Sequence, residues 1–356
     1  MLPAKPQVPF METPPQAWSA ERERLLQQQI VDLGLKIDGT YLEKIIERLY
    51  SELQQAGIKL RPKVYLSNEW SCPDGVPVIG IPFYLADPRL ARIEDEMMDG
   101  VEAQSEQEIL SYLRHEAGHA FNYAHRLWER DDWRALFGDM SSPYLEDYRP
   151  RPFSREFVRH IPGWYAQKHP DEDFSETFAV WLTPDSAWRE VYRGWPCYRK
   201  LEYVDQLVRE IGQKDPVVTG EDYDFASEAL IYSVADHYQR TIPEASPVPE
   251  DFDHELRDIF RVREGAAGEL VPAHSFLAQH RRQIVNRVAY WTGLYDVEVR
   301  ALIQYLIGRS DQLQLAIDPR RGEHVLVDFV AFASTLCMNR LYHGEYVFNA
   351  KHQGAP

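Results

Sequence analysis

The sequence HEAGH at positions 115–119 is the feature of this chain that most constrains its fold. Residues four apart lie on one face of a helix, so the imidazoles of His115 and His119 can bind a single metal ion. Glu116, between them, can then reach a water molecule on that ion. The pattern is typical of a zinc hydrolase, and it predicts a buried helix that borders a cleft.

The residues around this pattern also predict a helix. Ser105 and Glu108 form a capping box, in which each side chain satisfies a free backbone N–H of the first turn. Apolar side chains then recur at helical spacing from Ile109 to Leu127 and give the helix one apolar face. Gly118 lies in mid-helix, where glycine costs about 1 kcal/mol relative to alanine. We therefore expect another element to approach closely at Gly118.

A catalytic zinc site needs three protein ligands and one open position, and Glu172 is one candidate for the third ligand. Pro170 and the acidic residues after it suit the first turn of a second helix, which Pro184 ends. Glu172 and Glu176 lie one turn apart on the same face of that helix. One carboxylate can bind the metal while the other accepts the second N–H of a ligand histidine.

His125 is the other candidate for the third ligand. The spacing from HEAGH to His125 is that of the metzincin zinc site, except that Asn122 stands where those proteins have glycine. The helix would have to turn sharply at Asn122, and asparagine tolerates left-handed backbone better than most residues. Met140 is a candidate for the methionine turn of that class. The apolar face continues past Asn122, which favours a straight helix and Glu172 as the ligand.

Three further stretches make the chain similar to the bacterial zinc-binding metallopeptidases. They are LFGD at 136–139, WYA at 164–166 and HPDEDFSETFA at 169–179. That family joins HExxH to a downstream helix of the form HPxEDxAETxA, from which this chain departs only at Ser175. The resemblance extends over roughly residues 60 to 185. It implies a zincin-like fold and metallopeptidase activity, without naming a substrate.

A more distant resemblance, to the lethal-factor-like gluzincins, concerns the spacing of Tyr165, Glu172 and Glu176. In those proteins the first glutamate binds zinc and the second supports a ligand histidine. A tyrosine seven residues before the first glutamate contacts the reacting carbonyl. The resemblance implies that Glu172 is a zinc ligand, that Glu176 holds a histidine in place and that Tyr165 stabilises the oxyanion.

The residue types at these positions suit metal-assisted hydrolysis of a peptide or protein substrate. One zinc ion per chain would lower the pKa of a water molecule towards ~7. Glu116 would take the proton of that water as a general base and later give it to the leaving amine. The phenol of Tyr165 would help to hold the negative oxygen of the tetrahedral intermediate.

The order of predicted elements indicates an α+β fold. A zincin-like core, with a small sheet and the active-site helix, is followed by a mainly helical C-terminal region. Lys63–Asn68 and Val76–Ala86 are predicted strands, and the second is an edge strand that can pair with an extended substrate from Gly80 to Leu85. In the second half of the chain, helices are predicted near residues 222–239, 250–262, 273–292, 295–308 and 325–341.

The sequence divides into three predicted segments. Residues 1–16 are a disordered Pro-rich tail, residues 17–217 a zincin-like catalytic domain and residues 218–356 a helical C-terminal domain. Turn residues between Asp215 and Glu221 mark the predicted joint.

Charge and composition exclude some partners. The formal net charge of −17 argues against a nucleic-acid partner, since phosphate binding needs clustered Lys and Arg. We find no secretory signal and no stretch near the ~20 apolar residues that cross a bilayer, so no membrane partner is expected. The 3 cysteines are far apart and odd in number, which fits neither a disulfide framework nor a cysteine zinc site. A cytoplasmic location is therefore expected.

Two non-enzymatic alternatives are open at this point. A binding module with a structural zinc would need a closed site of four protein ligands, and the sequence offers no evident fourth ligand. A non-catalytic, regulatory protein that keeps the zincin fold and binds a protein partner would share every motif described above.

Overall fold

The computed structural model describes residues 15–98, 105–144, 148, 150–161, 163–241, 252–260, 270–294 and 296–346. The chain forms two compact units, Met1–Tyr148 with Phe153–Ile242 and Arg149–Pro152 with Pro243–Pro356. Most of the predicted tail over 1–16 lies outside the described residues. Its last two residues, Pro15 and Gln16, begin the first helix.

The first unit is mainly helical. Its described helices are α1 (Pro15–Gln27), α2 (Tyr41–Gln55), α3 (Pro88–Met98), α4 (Glu106–His125), α5 (Asp131–Phe137), α6 (Pro170–Leu182), α7 (Trp188–Val191), α8 (Tyr198–Ile211) and α9 (Val234–Thr241). The most extensive contact between two of these elements is that of α4 with α6. Both of these helices are buried on most sides, so the HEAGH helix is a central element of the core.

The sheet of this unit consists of two parallel strands, β1 (Lys63–Ser67) and β2 (Val78–Pro82), with Tyr65 opposite Gly80. A small sheet beside many helices confirms the predicted α+β class. The strand predicted over Val76–Ala86 is too long, because Phe83–Ala86 form a buried 3-10 helix. Gly80 is not free to pair with a substrate, since its backbone N–H donates to Ser71 O at 2.7 Å and its carbonyl accepts from Ser71 N at 3.2 Å.

Helix α4 begins where the capping box predicts. The Glu108 N–H donates to Ser105 Oγ, and the Ser105 N–H donates to Glu108 Oε2, each at 3.2 Å. At Gly118 the neighbouring element is α6: a Cβ atom there would lie 2.8 Å from Ser175 Cα and 3.1 Å from Ser175 O. The close approach predicted from the mid-helix glycine is therefore confirmed, and it sets the spacing of the two helices that carry the candidate ligands.

We expect Gly118→Ala to destabilise the first unit by about 1–3 kcal/mol, because the added methyl group must push α6 away from α4. A matched control is Gly308→Ala, since a Cβ at this other helical glycine meets no atom within 4 Å. There the higher helix propensity of alanine should leave stability unchanged or raise it by up to about 1 kcal/mol. Urea unfolding of both variants measures the difference, and equal shifts would show that the contact at Gly118 carries no constraint.

Residues 218–241, assigned above to the C-terminal domain, belong to the first unit. The backbone N–H groups of Val217 and Val218 donate to Ala124 O at 2.7 and 3.1 Å. The helix predicted near 222–239 begins only at Val234. Tertiary contacts account for this, since the Tyr223 ring stacks on Tyr65 with centroids 4.6 Å apart.

The second unit has its own apolar core. Its described elements are α10 (Asp253–Ile259), α11 (Ala273–Thr292), α12 (Asp296–Gln312) and α13 (Gly322–His343), with a short antiparallel pair of β3 (Val271–Pro272) and β4 (Ala316–Ile317). The helices predicted near 273–292, 295–308 and 325–341 are confirmed, and the last two extend a few residues beyond the predicted bounds.

One apolar helix stands out among the described residues. The stretch Pro319–His343 is long and apolar enough, by length and composition alone, to cross a membrane, with a mean hydropathy of 1.3. The expectation that no stretch approaches this length and hydropathy was therefore wrong. Only 33% of the apolar window is buried, although Phe329, Ala333 and Leu336 of α13 are fully buried in the core of the second unit.

Candidate metal centre

Three buried atoms converge between α4 and α6. His115 Nε2 lies 3.0 Å from His119 Nε2 and 3.0 Å from Glu172 Oε2, and the latter two atoms are 3.3 Å apart. The separations fit a common cation, because tetrahedral zinc with bonds of ~2.0–2.2 Å places its ligand atoms about 3.3 Å from one another. Among the described residues, His115, His119 and Glu172 are the group whose ligand atoms come together in this way.

The chemistry of these atoms also fits a metal. Glu172 Oε2 is buried and accepts no hydrogen bond within the described part of the chain. Two protonated imidazoles would repel each other with their Nε2 atoms 3.0 Å apart, whereas two lone pairs can share one cation. Two imidazole nitrogens and one carboxylate oxygen, with a fourth position open, form the ligand set of a catalytic zinc.

Glu176, one turn after Glu172, contacts His115. Its Oε1 lies 2.9 Å from His115 Nδ1. Its Oε2 accepts from the backbone N–H groups of His160 and Ile161 at 3.2 and 3.0 Å. A carboxylate on Nδ1 fixes the tautomer that presents Nε2 to a metal.

Asp171 orients His119 as Glu176 orients His115, and this role of Asp171 was not predicted from the sequence. Its Oδ2 lies 2.8 Å from His119 Nδ1. Asn122 Nδ2 donates to Oδ1 and Tyr123 Oη donates to Oδ2, each at 2.6 Å. The sequence did contain an indication of this polar group. Asn122 and Tyr123 follow His119 by three and four residues and so lie on its side of the helix, where they can bind the carboxylate that orients it. Each histidine is thus oriented by its own hydrogen-bonded carboxylate.

Residues 95–188, which contain all of these side chains, match the family model described as "putative zinc-binding metallo-peptidase". The family resemblance is therefore confirmed for this part of the chain. No curated protein and no solved structure matches the chain.

The sequence HPDED at 169–173 has a structural role at the start of α6. His169 is the N-cap residue, and its Nδ1 accepts from the Asp171 N–H at 3.2 Å. Pro170 follows at the first helical position, where its missing N–H costs nothing. His169 Nε2 also donates to Ser142 O at 3.0 Å and so ties the loop before Tyr144 to the helix that carries Glu172.

Two tyrosines stand beside Glu172. Tyr144 Oη donates to Glu172 Oε1 at 2.6 Å and lies 3.1 Å from Tyr165 Oη. The Tyr165 ring centroid is 5.7 Å from that of His115. Burial and the Glu172 carboxylate both raise the pKa of Tyr165, so its hydroxyl stays protonated. Tyr165 therefore lies beside His115, and its role at the oxyanion stays a prediction, whereas the contact of Tyr144 was not foreseen.

Glu116 is buried at the same centre. Burial raises the pKa of its carboxyl, and the neighbouring His115 and His119 oppose that rise. No hydrogen bond joins its carboxylate to another residue of the described ranges. It is therefore free to accept a proton from a bound water, which suits a general base.

The carboxylates control the electrostatics of the two histidines. Burial alone would lower the pKa of His115, but Glu172 and Glu176 outweigh it and raise the pKa to about 9. Asp171 and Glu172 likewise overcome burial and hold the pKa of His119 well above its usual value. The same concentration of negative charge attracts a divalent cation, which competes with protons for these atoms.

His125 does not join this group. Helix α4 runs uninterrupted through Asn122 and ends at His125, and its C-cap residue Arg126 has left-handed backbone. The His125 ring instead packs against Phe121, with centroids 4.9 Å apart. The sharp turn on which the metzincin alternative depends is absent, because Asn122 is held in the helix by its bond to Asp171.

Proposed function

We propose that this protein is a zinc-dependent metallopeptidase that hydrolyses peptide bonds. The observation that carries the proposal is the buried triangle of His115 Nε2, His119 Nε2 and Glu172 Oε2, in which a separate carboxylate backs each histidine. The match of residues 95–188 to a zinc-binding metallopeptidase family supports it.

The proposed mechanism divides the work among four side chains. Zinc, when bound, supplies a Lewis acid that polarises the scissile carbonyl and makes water a nucleophile near neutral pH. Glu116 accepts the proton of the attacking water and delivers it to the leaving amine. The protonated phenol of Tyr165 donates a hydrogen bond to the carbonyl oxygen as negative charge develops there. Tyr144 donates a hydrogen bond to Glu172 Oε1, which would leave Glu172 Oε2 to hold the metal together with His115 and His119.

The proposal is tested by incubating the full chain with a mixed peptide library before and after removal of zinc by a chelator. We expect cleavage that stops on chelation and returns when zinc is added back. Cleavage that survives chelation would contradict a metal-dependent mechanism. If zinc binds but no peptide is cleaved, the regulatory alternative, in which the zincin fold only binds a partner, would replace the peptidase.

Tyr165→Phe should retain zinc and lower kcat by roughly 10²-fold, because one well-placed oxyanion donor contributes about that factor. Tyr144→Phe should behave differently. It removes the hydrogen bond to Glu172 Oε1, and the loss of such a supporting contact typically weakens metal affinity by roughly 10–100-fold. Zinc competition assays and kcat for both variants distinguish the two roles. An unchanged kcat in Tyr165→Phe would leave that ring with a packing role only.

A further inference from the structure

A cluster of arginine and aromatic side chains adjoins the metal centre, and we call it the arginine–aromatic rim. It consists of Phe153, Arg155, Arg159, Trp164 and Trp195. The guanidinium carbon of Arg159 lies 4.3 Å from the ring centroid of Trp164, 5.5 Å from that of Trp195 and 5.7 Å from that of Phe153. The guanidinium of Arg155 lies 5.4 Å from the Trp195 ring.

Chain connectivity places this rim next to the reaction centre. Arg159 directly precedes His160 and Ile161, whose N–H groups hold Glu176 behind His115. Trp164 directly precedes Tyr165. An extended peptide advances about 3.3 Å per residue, so a carboxylate three residues from the scissile bond of a bound substrate would lie on the order of 10 Å from the metal.

The charges of the rim are not neutralised. No ion pair joins Arg155 or Arg159 to a carboxylate among the residues that the structure describes, and Arg159 Nε is buried without a hydrogen-bond partner. Basic residues of the same region do have partners: Arg189 pairs with Asp205 at 2.9 Å, and Lys200 pairs with Asp173 at 2.6 Å. Arg159 differs from the exposed arginines of this region that also form no ion pair, Arg193 and Arg199, because its Nε is buried.

Two of the described non-glycine residues with positive φ lie in the rim. Phe153 has φ 65° and Trp164 has φ 61°, values in the left-handed region that cost large side chains of order 1–3 kcal/mol. Phe153 nevertheless leaves 50% of its side chain exposed, so burial of its ring is a weak reason for the strain. Strain of this kind collects at sites that hold ligands. The three surrounding rings restrict the Arg159 guanidinium, and a restricted guanidinium can bind a carboxylate through two parallel N–H bonds.

We propose that the arginine–aromatic rim binds a carboxylate of the substrate peptide, so that the enzyme prefers substrates with an acidic residue a few positions from the cleaved bond. This rests on the proposed peptidase function. The rim gives the protein a local positive site, although its overall charge would repel acidic chains.

The test measures peptide binding by the full, zinc-loaded chain with Glu116→Gln, which prevents cleavage during the measurement. Matched pools of fluorescent peptides carry Asp and Glu, their amides Asn and Gln, or Lys and Arg at the varied positions. We expect acidic peptides to bind about 10–100-fold more tightly than their amide counterparts, the usual range for charge-assisted hydrogen bonds. Arg155→Ala and Arg159→Ala should each lose most of this preference.

Lys44→Ala is the matched control, because it removes one exposed positive charge from α2 and should keep the preference. Arg159→Lys covers the case in which Arg159→Ala does not fold: it keeps the charge but loses the planar fork, so the preference should fall without vanishing.

Equal binding of acidic and amide peptides, or an equal loss in Lys44→Ala, would overturn the proposal. Tighter binding of an oligonucleotide than of any acidic peptide would overturn it in favour of a phosphate ligand. If the wild type neither binds nor cleaves any peptide, the peptidase function itself fails.

Discussion

Glu116→Gln should retain zinc and the native fold while losing peptide hydrolysis by roughly 10²–10⁴-fold, the range for loss of a general acid–base group. Glutamine has nearly the same shape but cannot take a proton from water. Because the Glu116 carboxylate makes no hydrogen bond with the other described residues, the amide disturbs no network. The kcat on a cleaved peptide, measured together with zinc content, checks both parts of this expectation.

A matched control for this variant is Glu106→Gln, which neutralises an exposed carboxylate in the first turn of the same helix. Its partner is the exposed Arg48, and surface ion pairs contribute little, so activity and stability should change only slightly. Loss of zinc in Glu116→Gln would show that Glu116 is a metal ligand and not the base. Full activity in Glu116→Gln would remove it from the mechanism.

Glu172→Ala should abolish zinc retention, whereas His125→Ala should leave it nearly intact. The reason is geometric: Glu172 Oε2 lies 3.0 and 3.3 Å from the two histidine nitrogens, while the His125 ring packs on Phe121. Glu176→Ala should be intermediate, with metal affinity weakened by roughly 10–100-fold, because it removes only the group that orients His115. Competition with a zinc chelator ranks the three variants.

The order of these effects distinguishes the two ligand sets considered for this chain. If His125→Ala loses zinc and Glu172→Ala keeps it, the site is of the metzincin type. Folding of each variant is checked by circular dichroism, so that loss of metal is not confused with loss of structure. Glu172→Gln provides a second check, since its amide keeps the shape but is a poorer ligand than a carboxylate.

Local patterns predicted the helices of the metal centre well. The capping box at Ser105, the apolar face of α4 and the glycine at position 118 each report a short-range constraint, and the structure has all three. The spacing of Glu172 and Glu176 could likewise be interpreted on a single helix. Features that depend on residue spacing within one helix can therefore be predicted from the sequence.

Contacts between distant segments were harder to foresee. Tyr144 reaches Glu172 from an irregular loop that His169 holds in place, and no periodic pattern marks such a contact. The end of the strand predicted over Val76–Ala86 was wrong for a related reason. Its apolar residues suit a buried strand and a buried 3-10 helix equally, so only tertiary packing decided that the strand ends at Pro82.

Whether His115, His119 and Glu172 hold one zinc ion is decided by the metal content of the purified full chain. Elemental analysis should find about one zinc per chain in the wild type, since the triangle offers one set of three ligands. The double variant His115→Ala/His119→Ala should retain almost none, because a single carboxylate remains. Equal zinc in the wild type and the double variant would place the metal elsewhere and contradict the account.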